Sequence, residues 1–452
     1  MWLGLAGGLL LAAASCTSND ETTTQTTSLG GAAGAGGHTG GTAPGGGGGG
    51  TAGSGGQGPP SVRLPRESLT ASELAVLVNT NDPQSVAVAD YYQNARGIPV
   101  ANRIEVQLTV GAVASLAEFN AAKAIVDAAV TPAIQGLVIT WTQPYQADCM
   151  SITTAFALGY DAGYCSTPCN STMPVDYYDS ESLQPFTDLG LRPAMMLAAA
   201  NVADAQALVD RGVSADQTFP MGDGYLMRTT DPARSVRWNA FMQTVSDWNY
   251  QGGLALQYID NSGGGGLDYI ENKTDVLFYF TGLASVPSIE TNTYRPGAVA
   301  DHLTSYGGQV PTSGQMSIVA WLQAGATASY GTVVEPCNYT QKFPDTTVML
   351  PHYFRGETVL EAYWKSVSWP GEGLFVGEPL SRPWGSTVDF TNGTLTIHTS
   401  TLVPGKTYEL RSAGAEAGPY TPVLQNITVP HLQLTDVTLP NATAPFYELA
   451  AL

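Results

Sequence analysis

The sequence predicts an α/β fold: an open, mostly parallel sheet with helices on both faces, followed by a small C-terminal all-β sandwich module. Three observations carry this. From residue 74 to about 384, short β-rich apolar runs alternate with amphipathic helical stretches, the pattern of strands joined by crossover helices. Beyond residue 386 the helical period disappears and short alternating runs take over. The chain has 452 residues, 43% of them hydrophobic, which is enough for a sizeable core.

The elements follow in order. LAVLVN (74–79) is a buried-strand run, 85–99 is a helix ending at Gly97, and RIEVQL (103–108) is a strand. The alanine-rich helix 115–130 and the strand GLVITW (136–141) close a β-α-β-α-β unit. RPAMMLAAA (192–200) precedes a helix over 202–212, and GYLMRT (224–229) precedes one over 233–249. LALQYID (254–260), VLFYFTG (276–282) and AVADHLTS (298–305) read as strands. The helix 315–324, the strand ASYGTVVE (328–335), the helix ETVLEAYWKSV (357–367) and the turn GEPLSRP (377–383) complete the body. In the tail, Asn392-Gly393 between two alternating runs signals a hairpin.

The amino-terminal stretch carries an address. MWLGLAGGLLLAAASC (1–16) has an apolar run too short to span a bilayer and suited to the core of a secretory signal. It ends in Ala13, Ala14 and Ser15 directly before Cys16, and it resembles the lipobox of bacterial lipoproteins. That resemblance implies acylation of Cys16; the alternative is a plain signal peptide cleaved nearby. The stretch departs from the pattern in having no Lys or Arg, and Ala13 where Leu is usual. Seventeen of the 51 glycines fall in residues 30–58, and residues 22–62 carry no charged side chain. Such a chain cannot bury enough apolar surface to offset its backbone entropy, so 17–66 is expected to be a disordered tether with a reach of roughly 35 Å. The expected division is therefore signal 1–16, tether 17–66, α/β domain 67–384 and β-module 386–452. The expected location is exported and membrane-anchored, periplasmic or cell-surface, with the lipid as the membrane contact. Elsewhere no run approaches the eighteen apolar residues of a transmembrane helix.

Acidic residues outnumber basic ones, 38 to 18, for a net charge of −20, which repels polyphosphate and excludes nucleic acid as the main partner. Apart from Cys16 there are four cysteines, Cys149, Cys165, Cys169 and Cys337. An even number in an exported chain points to two disulfides with three possible pairings. Cys165 and Cys169 flank only Ser-Thr-Pro and could bridge locally, which would leave Cys149 to Cys337.

NDPQSVAVADYYQNARGIPVANRIEV, then RPGAVADHLTSYGG, VVEP, EAYW and GEPLSRPW resemble the successive motifs of an uncharacterised family of exported bacterial proteins. That family is in turn distantly similar to gingipain-like, caspase-fold cysteine peptidases. The resemblance implies a caspase-like sheet with a His after one strand and a Cys after the next, meeting at the sheet's carboxyl edge. At those positions this chain has Gly282-Leu283-Ala284-Ser285 and Thr304-Ser305-Tyr306-Gly307-Gly308, so neither required side chain is there. The expectation is a non-peptidase relative with a binding or surface-assembly role toward a cell-surface protein or glycan. The alternative is a hydrolase of peptide or glycan using His302, Ser305, Glu335 or Cys337. On a strand, His302 and Ser305 would face opposite ways, which favours a structural histidine. Glu335 and Glu378 could form a carboxylate pair at one sheet edge. The stronger reading is structural, with Glu335 accepting backbone N–H bonds in a turn and Glu378 pairing with Arg382 as a latch. His352, in a Pro351-His352-Tyr353 loop, reads as structural. The acidic loop 176–182 lacks calcium-loop spacing, and GGGG (263–266) lacks phosphate-loop spacing. No metal or cofactor is expected.

Overall fold

A computed structural model describes residues 59–65, 68–248 and 253–452. Cys16 and the tether up to residue 58 lie outside the described residues.

The main sheet has ten strands. In chain order they are β1 (Leu74–Asn79), β2 (Arg103–Val106), β3 (Gly136–Ile139), β4 (Ala194–Met196) and β5 (Gly222–Arg228). There follow β6 (Leu254–Asp260), β7 (Val276–Thr281), β8 (Tyr294–His302), β9 (Ala328–Thr332) and β10 (Gly373–Gly377). Side by side they run β6-β5-β7-β8-β9-β10-β4-β3-β1-β2. Every neighbouring pair is parallel except β9 with β10, where Ala328 faces Gly377 and Thr332 faces Gly373. That one antiparallel seam divides the sheet into two parallel halves running in opposite directions. The carboxyl ends of β5 to β9 therefore lie at one edge, and those of β1 to β4 and β10 at the other.

Both faces of the sheet are covered. β1, β7, β9 and β10 are buried at every position, odd and even alike. On β5 and β8 the alternation separates two cores: Leu226 and Val299 belong to the large cluster, Tyr225, Met227, Ala298 and Ala300 to a second one around Trp321. Helices are closed by recognisable caps. In α1 (Pro83–Arg96) Asp82 accepts from the Gln84 N–H, Pro83 takes the first position and Gly97 ends the helix at φ 63°. In α2 (Leu116–Ala129) Ser115 and Glu118 form a capping box. α3 (Ile152–Leu158) and α4 (Pro185–Leu189) are short helices that the sequence pattern does not signal. α5 (Val202–Ala215), α6 (Trp238–Asp247) and α7 (Val319–Ala324) fall where helical spacing places them.

α8 (Thr346–Phe354) corrects the expectation of a loop around His352. Pro351 lies inside this helix, yet Asp345 caps it and Met349, Leu350, Tyr353 and Phe354 are buried, so packing outweighs the lost backbone bond. α9 (Val359–Lys365) starts at a Thr358–Glu361 capping box.

The tail has six strands: β11 (Thr387–Thr391), β12 (Thr394–Thr399), β13 (Tyr408–Ala413), β14 (Thr421–Ile427), β15 (Thr435–Leu439) and β16 (Phe446–Ala451). β11, β12 and β15 form one sheet, and β16, β13 and β14 another. Leu395 and Ile397 of the first share an apolar cluster with Leu410 and Leu449 of the second. The second sheet gains a strand from Ser61–Arg63, which pairs in parallel with Phe446–Glu448. These three residues, which fall within the expected tether 17–66, are therefore part of the tail sheet. No helix among the described residues is long and apolar enough to cross a membrane.

Candidate functional site

The edge where a caspase-type pair would stand is closed by loops bonded to one another. Beyond β7, Gly282 packs so tightly on the Arg234 carbonyl that a Cβ would collide with it. Its own carbonyl accepts from the Thr229 hydroxyl at 2.7 Å. Beyond β8, Gln315 Oε1 accepts from the Thr304 hydroxyl at 2.5 Å and from the Tyr306 N–H at 3.1 Å. Arg234 Nε donates to Thr304 Oγ1 at 3.3 Å.

His302 ends β8 and is 1% exposed. Its Nδ1 accepts from the Trp321 indole at 2.9 Å, which puts the proton on Nε2, facing the Met316 carbonyl at 3.2 Å. Burial holds its pKa down to about 3 against the pull of that carbonyl, with the Arg237 and Arg234 charges pressing the same way. Ser305 sits in the turn after β8, where its carbonyl accepts from the Thr332 hydroxyl at 3.0 Å. The described contacts of His302 do not include Ser305.

Glu335 Oε1 accepts from the Cys337 N–H at 2.8 Å, as a turn residue does. Cys337 is disulfide-bonded to Cys169, and Cys149 to Cys165. The expected local bridge between Cys165 and Cys169 is thus overturned. Cys165 is buried and Cys169 half-exposed, so the two neighbours face different surroundings despite their short spacing.

Glu335 and Glu378 do not meet. The β9–β10 seam puts the end of β9 beside the start of β10, which separates the residues that follow each strand to opposite edges. Glu378 is fully buried, bound by the Arg96 guanidinium and by the Tyr92 hydroxyl at 2.8 Å. Arg382, expected as its partner, instead donates its backbone N–H to Asp216 at 2.8 Å and its Nε to the Gly356 carbonyl at 2.5 Å. Arg96 also binds Asp216, so the group latches α1, the end of α5 and the 377–383 turn together.

A cavity of about 390 Å³ opens between the first turn of α6, the 340–345 segment and Ser366 and Ser368. Arg237 forms its inner wall and is 3% exposed, with Nη2 on Asp301 Oδ1 at 2.6 Å and on the Thr281 carbonyl at 2.8 Å. Burial raises the Asp301 pKa while Arg237 pulls it down. Lys342 and Glu372, both fully buried, pair at 2.7 Å beneath the 340–345 segment. Sequence reasoning missed this cavity, because its lining comes from four separated stretches, around residues 178, 236–240, 340–345 and 366–368, and no one of them forms a motif.

The remaining candidates are structural in their contacts. His352 bonds Glu357 at 2.9 Å and Asp179 at 3.3 Å, and Glu357 also holds Lys365 at 2.9 Å. The acidic loop is pinned further by Glu181 on Arg355 at 3.0 Å. The 263–266 glycines fold around Asn261, which donates to the Gly266 carbonyl at 3.2 Å. On the tail, His398 lies between Asp436 at 2.7 Å and Asp389 at 3.0 Å. No group of three or more His, Cys, Asp or Glu among the described residues is placed to hold a metal ion.

No protein-family model matches the chain, and no curated protein matches it. One solved structure, described as "Structure of Protease", is similar over 82% of this chain and 98% of its own, at 9% identity and a TM-score of 0.45. A likeness that slight assigns neither an activity nor a fold family.

Proposed function

We propose that the chain is an exported, lipid-anchored protein that works by binding or assembly at the cell surface, on a caspase-like fold without peptidase chemistry. The carrying observation is the state of His302 and Cys337, the histidine and cysteine among the candidates that could have replaced the missing pair. His302 has both ring nitrogens engaged and a pKa near 3, so it neither takes nor gives a proton near neutrality. Cys337 is tied up in a disulfide and offers no thiolate. The two disulfides fit an oxidising compartment outside the cytoplasm. Ser61–Arg63 pairs with the last strand and so extends the tail sheets, which we read as a sandwich module for attachment.

The test is to incubate the purified full chain with peptide and glycan libraries and follow both product formation and retention. Retention of a library member without products is the expected outcome. Turnover abolished by a single substitution (His302→Gln, Ser305→Ala or Glu335→Gln) would overturn the proposal in favour of a hydrolase.

A further inference from the structure

We propose that the cavity beside α6 binds an uncharged glycan, an assignment that rests on reading the chain as a binding protein. At about 390 Å³ it falls in the lower range of small-molecule sites. Its lining has two charged residues, Arg237 and Asp345, and each already has a partner for its charge or a cap to make. Arg237 is held by Asp301 and two backbone carbonyls. Asp345 Oδ1 caps α8 through the Thr347 N–H at 2.9 Å and hydroxyl at 2.6 Å, while Oδ2 accepts from Tyr178 at 3.3 Å. The Arg237 charge is already matched by Asp301, with only its Nε–H left unpartnered, and the net charge of −20 works against an anionic ligand.

Apart from the Arg237 Nε–H, what the wall leaves uncommitted is neutral. Asn239 and Ser368 make no side-chain hydrogen bond among the described residues, and Gln341 makes a long one of 3.5 Å with Thr340. A carboxamide presents a donor and an acceptor side by side, and a hydroxyl is both at once. A sugar, whose hydroxyls each give and take a hydrogen bond, is the ligand that satisfies such a set. Tyr339 and Trp369, the chain neighbours of Thr340 and Ser368, are both half-buried and pack on each other with ring centroids 5.6 Å apart. The wall is also held in place before any ligand arrives. Trp369 N–H donates to the Gln341 carbonyl at 2.9 Å, and Lys342, the next residue, is anchored by Glu372.

The test titrates the full chain by calorimetry with neutral di- to hexasaccharides of glucose, mannose and N-acetylglucosamine. Asn239 and Gln341 are exposed, so N239A and Q341A can fold normally, which their unfolding curves would verify. Saturable binding of a neutral oligosaccharide, weakened about threefold to tenfold by each substitution and unchanged by Gln425→Ala on the tail, is expected. Binding of none of the sugars, or equal binding by parent and variants, overturns the glycan assignment. If the same variants instead lose affinity for a peptide panel, that assignment falls while the binding reading stands. Release of cleaved sugar would overturn the binding reading itself.

Discussion

Acidification interrogates His302 directly. In the folded protein its pKa lies near 3, with burial the dominant cause; in the unfolded chain it returns to about 6.5. The folded value is the lower one, so the unfolded state binds the extra proton. The contribution of the neutral imidazole is therefore complete above about pH 6.5 and is lost as the pH falls toward 3. Between about pH 6.5 and pH 4 this spans roughly 2.5 units, and at ~1.4 kcal/mol per unit it amounts to about 3 kcal/mol. His302→Asn keeps an acceptor for Trp321 and a donor for Met316 but cannot be protonated. Urea unfolding of parent and variant, followed by tryptophan fluorescence at roughly pH 7 and pH 4, reads the difference. The variant should start out less stable, yet lose about 3 kcal/mol less than the parent on acidification. Equal losses would refute the reasoning, as would an imidazole resonance of His302 that titrates above about pH 5 in the folded protein. Either result would also reopen His302 as a proton carrier.

Two further outcomes test the framework around the site. Arg96→Met leaves the Glu378 carboxylate buried without its partner and should cost about 3–5 kcal/mol in urea unfolding. The double variant R96M/E378L should recover much of that loss, and no recovery would show that the latch acts through something other than the ion pair. The Cys169–Cys337 bridge closes a separation of 168 residues, so replacing both by Ala should lower stability by about 2–5 kcal/mol. A loss below about 1 kcal/mol would mean that the 333–341 segment is held without the bridge.

Much of the body's element order was legible. The runs at 74–79 and 254–260 coincide with β1 and β6, because alternation and β-branched content are properties of consecutive residues. α8 was hidden by Pro351, since the burial of its Leu350 and Phe354 is not a local signal. Of the site residues, the sequence made the contacts of Glu335 readable as a turn, for Cys337 is two positions away. The partner of Glu378 was not readable in that way. Arg382 is four residues off and Arg96 is 282, and it is the distant one that reaches it.

By itself, then, the sequence determined the alternation of strands and helices, the net acidic charge and the even set of cysteines beyond Cys16. Those are facts of composition and of neighbours along the chain. Tertiary structure alone decided that β9 and β10 run antiparallel, that Cys169 finds Cys337, that His302 is consumed by Trp321 and that four separate stretches enclose a cavity. The physical reason is the same in each case. Periodicity is set by bonds between adjacent residues, whereas pairing across the sheet and enclosure of a site are set by burial, which brings together residues that no local spacing connects.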